Sequence, residues 1–75
     1  MIKHRLCNRL KQARAKRGLT QAKLAVMSGV SRKTINTVEN GVFIPSTLLA
    51  LTLARALETT VEALFFLDDP AQDLE

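Results

Sequence analysis

The spacing of four residues, Ala25, Gly29, Ile35 and Val38, constrains this chain more than any other feature of it. Two helices that cross at close to a right angle need a small side chain at the crossing, and Ala25 supplies one. The turn between them has to reverse sharply, and Gly29 adopts φ > 0 without a Cβ penalty. Ile35 and Val38 lie one helical turn apart, so both pack back onto the preceding helix. The spacing predicts a helix from Gln21 to about Ser28, a tight turn, and a helix that Ser31 caps and that runs to about Asn40.

The remaining punctuation divides the chain in the same manner. Leu6, Leu10 and Ala13 recur at helical spacing and predict a first helix that ends at Gly18. Thr20 is suited to cap the second helix, with Leu24 and Ala25 facing inward. Gly41 stops the third. Pro45 and Ser46 suit the entry to a fourth, through about Leu57. A fifth follows with Val61, Leu64 and Phe65 inward. Thr59 with Glu62 fits a capping box, and Thr60 is an equally good cap. No segment reads as a strand: Val42-Phe43-Ile44 is too short and runs into proline. The expected fold class is all-α, with five short helices over residues 1–67. An acidic tail or linker stub follows over residues 68–75.

With 75 residues the chain holds one domain and one small core. A domain of this length buries only about 60% of the surface its unfolded chain exposes, so local packing and pairing with a second copy both matter. The single cysteine, Cys7, excludes an intrachain disulfide. With His4 as the lone histidine there are too few ligands for a zinc site, and no metal or cofactor is expected. Cys7 reads as a reduced, half-buried residue rather than a redox sensor. No stretch approaches the ~20 apolar residues of a membrane helix. The basic start of the chain lacks the apolar run of a signal peptide. A cytoplasmic protein is expected.

Charge is unevenly distributed. Ten of the eleven Lys and Arg residues lie between Lys3 and Lys33, and six of the seven acids lie between Glu58 and Glu75. The net charge of +4 understates how strongly the first half attracts a polyanion. The outward face of the third helix carries Arg32, Lys33, Asn36 and Thr37. Arg and Lys donate to guanine O6 and N7, Asn pairs with adenine N6 and N7, and a threonine methyl touches the thymine methyl. These four are the candidate base readers in a major groove of double-stranded DNA, with the first helical turn coming nearest the base edges.

The residues Leu19-Thr20-Gln21, Leu24-Ala25, Gly29-Val30-Ser31, Thr34-Ile35, Glu39-Asn40-Gly41 and Pro45-Ser46 resemble the Cro and phage-repressor helix-turn-helix family. The resemblance extends from Leu6 to about Leu67 and implies a lambda-repressor-like DNA-binding domain. It implies that Gln21 contacts a phosphate and braces the recognition helix. It implies that Ser31, Arg32 and Lys33 begin the recognition helix, that Thr37 is a later base contact, that Asn40 holds phosphate, and that Arg14 and Glu39 form a structural ion pair. Thr20, Ser31 and Arg17 are further candidates for positioning phosphate. The sequence departs from the family pattern in three places. Val42 replaces a basic residue, Glu58 stands where the fourth helix often ends in glycine, and Leu48 replaces a charge.

Leu48 together with Leu51, Phe66 and Leu67 forms a candidate apolar patch, read either as the edge of a small core or as a homodimer interface. Segments Phe43–Thr47, Leu53–Leu57 and Val61–Phe65 are also similar to the DNA-binding heads of longer bacterial regulators. In those, a periplasmic-binding-protein-like ligand domain follows. The competing function classes are a protein-interaction module of antitoxin type on the same fold, and an enzyme. The basic third-helix face favours DNA over the former. The absence of any nucleophile–base pair or metal constellation argues against the latter. The three phenylalanines do not make a stacking platform for RNA.

Overall fold

A computed structural model describes residues 4–68. The expected tail lies outside the described residues from 69 onward. The order of elements is β1 (Leu6–Asn8), α1 (Leu10–Lys16), α2 (Gln21–Ser28), α3 (Arg32–Glu39), α4 (Thr47–Ala56), α5 (Val61–Leu64) and β2 (Phe65–Leu67). Five helices form the body, and α2 packs on both α3 and α4.

Each of the last four helices begins at a hydroxyl residue. Thr20, Ser31, Ser46 and Thr60 have extended backbones, and their side chains accept hydrogen bonds from the amides of Lys23, Thr34, Leu49 and Ala63. The cap satisfies one of the amides that a helix start leaves unpaired. Thr60, rather than Thr59, takes that role in α5.

The first four helices end alike. The amides of Leu19, Val30, Val42 and Thr59 each donate to the carbonyl five residues back, at 2.9–3.1 Å. This closure needs a left-handed residue just before the donor. Gly18, Gly29 and Gly41 supply it three times, and Glu58, with φ +55°, is the fourth. The departure from glycine that the sequence carries at 58 is therefore a departure at a left-handed position.

The buried centre is apolar. Leu10, Leu24, Ile35, Leu53 and Leu64 are fully buried, joined by Val38 and Leu57. Ala25 is 4% exposed, which fits the close approach of α2 to its neighbours.

Two expectations are corrected. The first concerns strands. Leu6 is not the first turn of a helix, because β1 pairs antiparallel with β2, with Leu6 opposite Leu67 and Asn8 opposite Phe65. Three residues per strand are too few to show a period of two, and the helical spacing of Leu6 from Leu10 misled. The second concerns α5, which ends at Leu64. Phe65 is buried, as expected, but as a strand residue with φ −124°.

Asn8 joins these parts. Its side-chain amide donates to the Val38 carbonyl at 3.0 Å, and its side-chain oxygen accepts from the Leu10 amide at 3.1 Å. The Arg9 amide donates to the Leu64 carbonyl at 2.8 Å. The Arg9 guanidinium lies 4.1 Å from the centre of the Phe66 ring. Asp68 closes the far end of the sheet: its carboxylate accepts from the Arg5 amide at 2.6 Å, and His4 Nδ1 lies 2.9 Å from its carbonyl oxygen. Among the described residues no helix is long and apolar enough to cross a membrane.

Candidate nucleic-acid interface

Helices α2 and α3 with the turn at Gly29 make the unit that presents the candidate readers. Ile35 and Val38 are buried, so the opposite face of α3 turns outward: Arg32, Lys33 and Asn36 are exposed and Thr37 is half-buried. Gln21, at the start of α2, joins Arg32, Lys33 and Asn36 around one shallow hollow of 330 Å³. Two cations and two carboxamides thus converge on one surface, the mixture that base edges and phosphates require. Neither α2 nor α3 has an acidic residue in its first turn, so both helix N-termini keep their partial positive charge.

The one carboxylate on α3 is neutralised in place. Arg14 Nε donates to Glu39 Oε2 at 2.7 Å, and Gln21 Nε2 donates to Glu39 Oε1 at 3.0 Å. Arg14 also donates to the Leu19 carbonyl at 2.8 Å. A single side chain therefore links α1, the loop before α2, and the last turn of α3. Gln21 is braced against α3 through Glu39. Only one of the two hydrogens on its amide nitrogen is used there.

The other candidates divide between roles. Ser31 and Thr20 have their oxygens committed as caps. The Thr37 hydroxyl donates back to the carbonyls of Lys33 and Thr34, both at 3.0 Å, which leaves its methyl group for any external contact. Asn40 Nδ2 donates to Asn36 Oδ1 at 3.2 Å, coupling the last of these positions to a candidate reader. Arg17 is not brought to the hollow: its guanidinium meets the Glu58 carboxylate at 2.7 Å, at the C-terminal end of α4.

The loop after α3 folds back on it, with the amides of Val42 and Phe43 both donating to the Thr37 carbonyl. Val42 is 77% exposed there, an apolar side chain beside α3. The four residues of the candidate apolar patch are also divided. Leu51 lines a groove with Leu6, Val61 and Phe65. Leu48 lines a separate one with Phe43 and Val30, and Phe66 lies under Arg9. Asn8 is the residue whose importance the sequence did not signal, because its partners are set only when the chain ends meet.

The HTH_3 family, a helix-turn-helix family, matches residues 10–64. The chain is 39% identical over 62 residues to the HTH-type transcriptional regulator YgzD of Bacillus subtilis, covering 83% of this chain and 94% of that protein. It is 44% identical over 61 residues to an HTH-type transcriptional regulator of Archaeoglobus fulgidus, covering 81% and 87%. Among solved structures, the restriction-modification controller protein C.AhdI of Aeromonas hydrophila superposes with a TM-score of 0.71 at 36% identity. That match covers 73% of this chain and 83% of that one. The clp gene regulator ClgR of Corynebacterium glutamicum gives 0.67 at 33% identity, over 69% and 55%. The match spans both α2 and α3 with their supporting helices, and this chain belongs to the HTH_3 family of helix-turn-helix DNA-binding regulators.

Proposed function

We propose that this protein regulates transcription as a repressor in the cytoplasm, by laying α3 in the major groove of a specific double-stranded DNA site. The observation that carries the reading is the convergence of Gln21, Arg32, Lys33 and Asn36 on one exposed surface at the helix-turn-helix. Arg32 and Lys33, in the first turn of α3, donate to guanine edges; Asn36 pairs with adenine, and Thr37 offers its methyl to thymine. Gln21 and Asn40 hold phosphates on either side, while the caps at Thr20 and Ser31 fix the two helix starts. A regulator seated in this way excludes other proteins from the same groove, which is the simplest route to repression.

Selection from a random-duplex library at near-physiological salt tests the proposal. The expected result is enrichment of a short motif containing a guanine-rich step read by Arg32 and Lys33. Salt-sensitive binding without any enriched motif overturns it, and transfers the surface to an interaction role.

A further inference from the structure

Asn36 and Asn40 stand about one turn apart along α3, and two hydrogen bonds join them. The Asn40 backbone amide donates to the Asn36 carbonyl at 3.1 Å, and Asn40 Nδ2 donates to Asn36 Oδ1 at 3.2 Å. Both residues are exposed. Asn36 lines the hollow with Gln21, Arg32 and Lys33, and Asn40 stands just outside it. Arg32 and Lys33 take part in no ion pair among the described residues, and the Thr37 hydroxyl is committed to carbonyls of its own helix. Asn36 is thus a candidate reader whose polar group is held by another side chain. An asparagine amide has an oxygen with two lone pairs and a nitrogen with two hydrogens, and a half-turn about its last bond exchanges them. The Asn40 donor disfavours one of those two orientations, because it would set one N–H2 against another.

We propose that Asn40 is a positioning residue for base reading: it fixes the Asn36 amide in the orientation that selects adenine. The proposal rests on the placement of α3 in the major groove. Adenine offers the N7 acceptor and the N6 donor side by side, and asparagine meets both only with its nitrogen and oxygen in the matching order. Held by Asn40, Asn36 keeps both hydrogens of Nδ2 and one lone pair of Oδ1 for the base. Such a pair is weak on an isolated helix in water. Against DNA, where water is excluded, it strengthens, and the orientation is set before contact is made. The second hydrogen of Asn40 Nδ2 remains for a phosphate, so one side chain couples a backbone contact to the orientation of a base reader.

Selection from a random-duplex library with the whole chain, run in parallel for the parent, Asn36→Ala, Asn40→Ala and Asn40→Asp, is the test. Asn36→Ala identifies the base position concerned. Asn40→Asp supplies only acceptors, so the Asn36 nitrogen turns toward it and the oxygen is left for the base, where it accepts from cytosine N4 as well as from adenine N6. The expected result is that Asn40→Asp lowers the preference for adenine over cytosine at that position by about tenfold, and Asn40→Ala by about threefold, with the other positions unchanged. Cooperative thermal unfolding of each variant shows that folded protein is being read. Equal loss on every sequence, with that preference intact, overturns the proposal and leaves Asn40 a phosphate contact only. In the free chain, the side-chain amide signals of Asn40 should shift in the nuclear magnetic resonance spectrum on Asn36→Ala, and signals that stay in place overturn the contact itself. A parent that enriches no motif removes the major-groove reading together with this one. A parent motif unmoved by either Asn40 variant removes this one alone.

Discussion

Arg14 reaches from α1 to α3 and donates its Nε hydrogen to Glu39 at 2.7 Å, where the Glu39 side chain is 3% exposed and that of Arg14 15%. At this burial the pair is screened little by water. Glu39 accepts from Gln21 as well, so the ion pair also sets where the first residue of α2 stands.

Arg14→Ala leaves the buried Glu39 carboxylate without its countercharge, with Gln21 as its remaining donor, and removes the donor to the Leu19 carbonyl. The expected cost is about 3 kcal/mol of stability, measured by urea unfolding. Because the whole domain is small, the variant should be partly unfolded at ordinary temperature. A loss below about 0.5 kcal/mol, the range of exposed pairs, would show that the pair does not hold α1 to α3.

Arg32→Ala and Lys33→Ala should each weaken binding to the selected site by about 1–3 kcal/mol and relax the preference at one base position. Gln21→Ala should weaken all sequences alike if Gln21 holds a phosphate, as proposed. Competition binding of variant proteins against the selected site and a scrambled duplex separates the two behaviours. Equal losses on both duplexes for Arg32→Ala and Lys33→Ala would remove them from the base readers.

Val42→Lys places a cation beside α3, the proposed reading helix, at a position that is 77% exposed. Binding should strengthen on every duplex, and the slope of log affinity against log salt should steepen by about one. An unchanged slope would mean that the loop after α3 does not approach the backbone.

Glu58 sits at φ +55°, in the position that glycine fills at the ends of α1, α2 and α3. Relief of the left-handed strain by Glu58→Gly is worth about 1 kcal/mol. The substitution also removes the pair with Arg17, whose side chains are 41% and 73% exposed, and an exposed pair contributes less than that. The strain therefore decides the sign, and Glu58→Gly should raise the melting temperature. Glu58→Ala keeps the strain, loses the pair and should lower it. Thermal unfolding of the two variants side by side checks both.

Asn8→Ala removes one donor and one acceptor that together tie β1 to the start of α1 and the end of α3. The Val38 carbonyl and the Leu10 amide lose partners in a half-buried place. The expected loss is about 2 kcal/mol by chemical denaturation, with DNA preference unchanged in the folded fraction.

Local chemistry determined most of the helical frame. Hydroxyl caps at Thr20, Ser31 and Ser46 and left-handed stops at Gly18, Gly29 and Gly41 act over five residues or fewer, so their effect is written in the sequence itself. The outward face of α3 follows from them, because burying Ile35 and Val38 leaves Arg32, Lys33 and Asn36 no other direction. Tertiary structure alone decided what the ends of the chain do. Leu6–Asn8 become a strand only because Phe65–Leu67 arrive beside them, and the amides and carbonyls of such short segments find partners nowhere nearer. The same meeting stops α5 at Leu64, draws Arg9 over Phe66 and gives Asn8 its two partners.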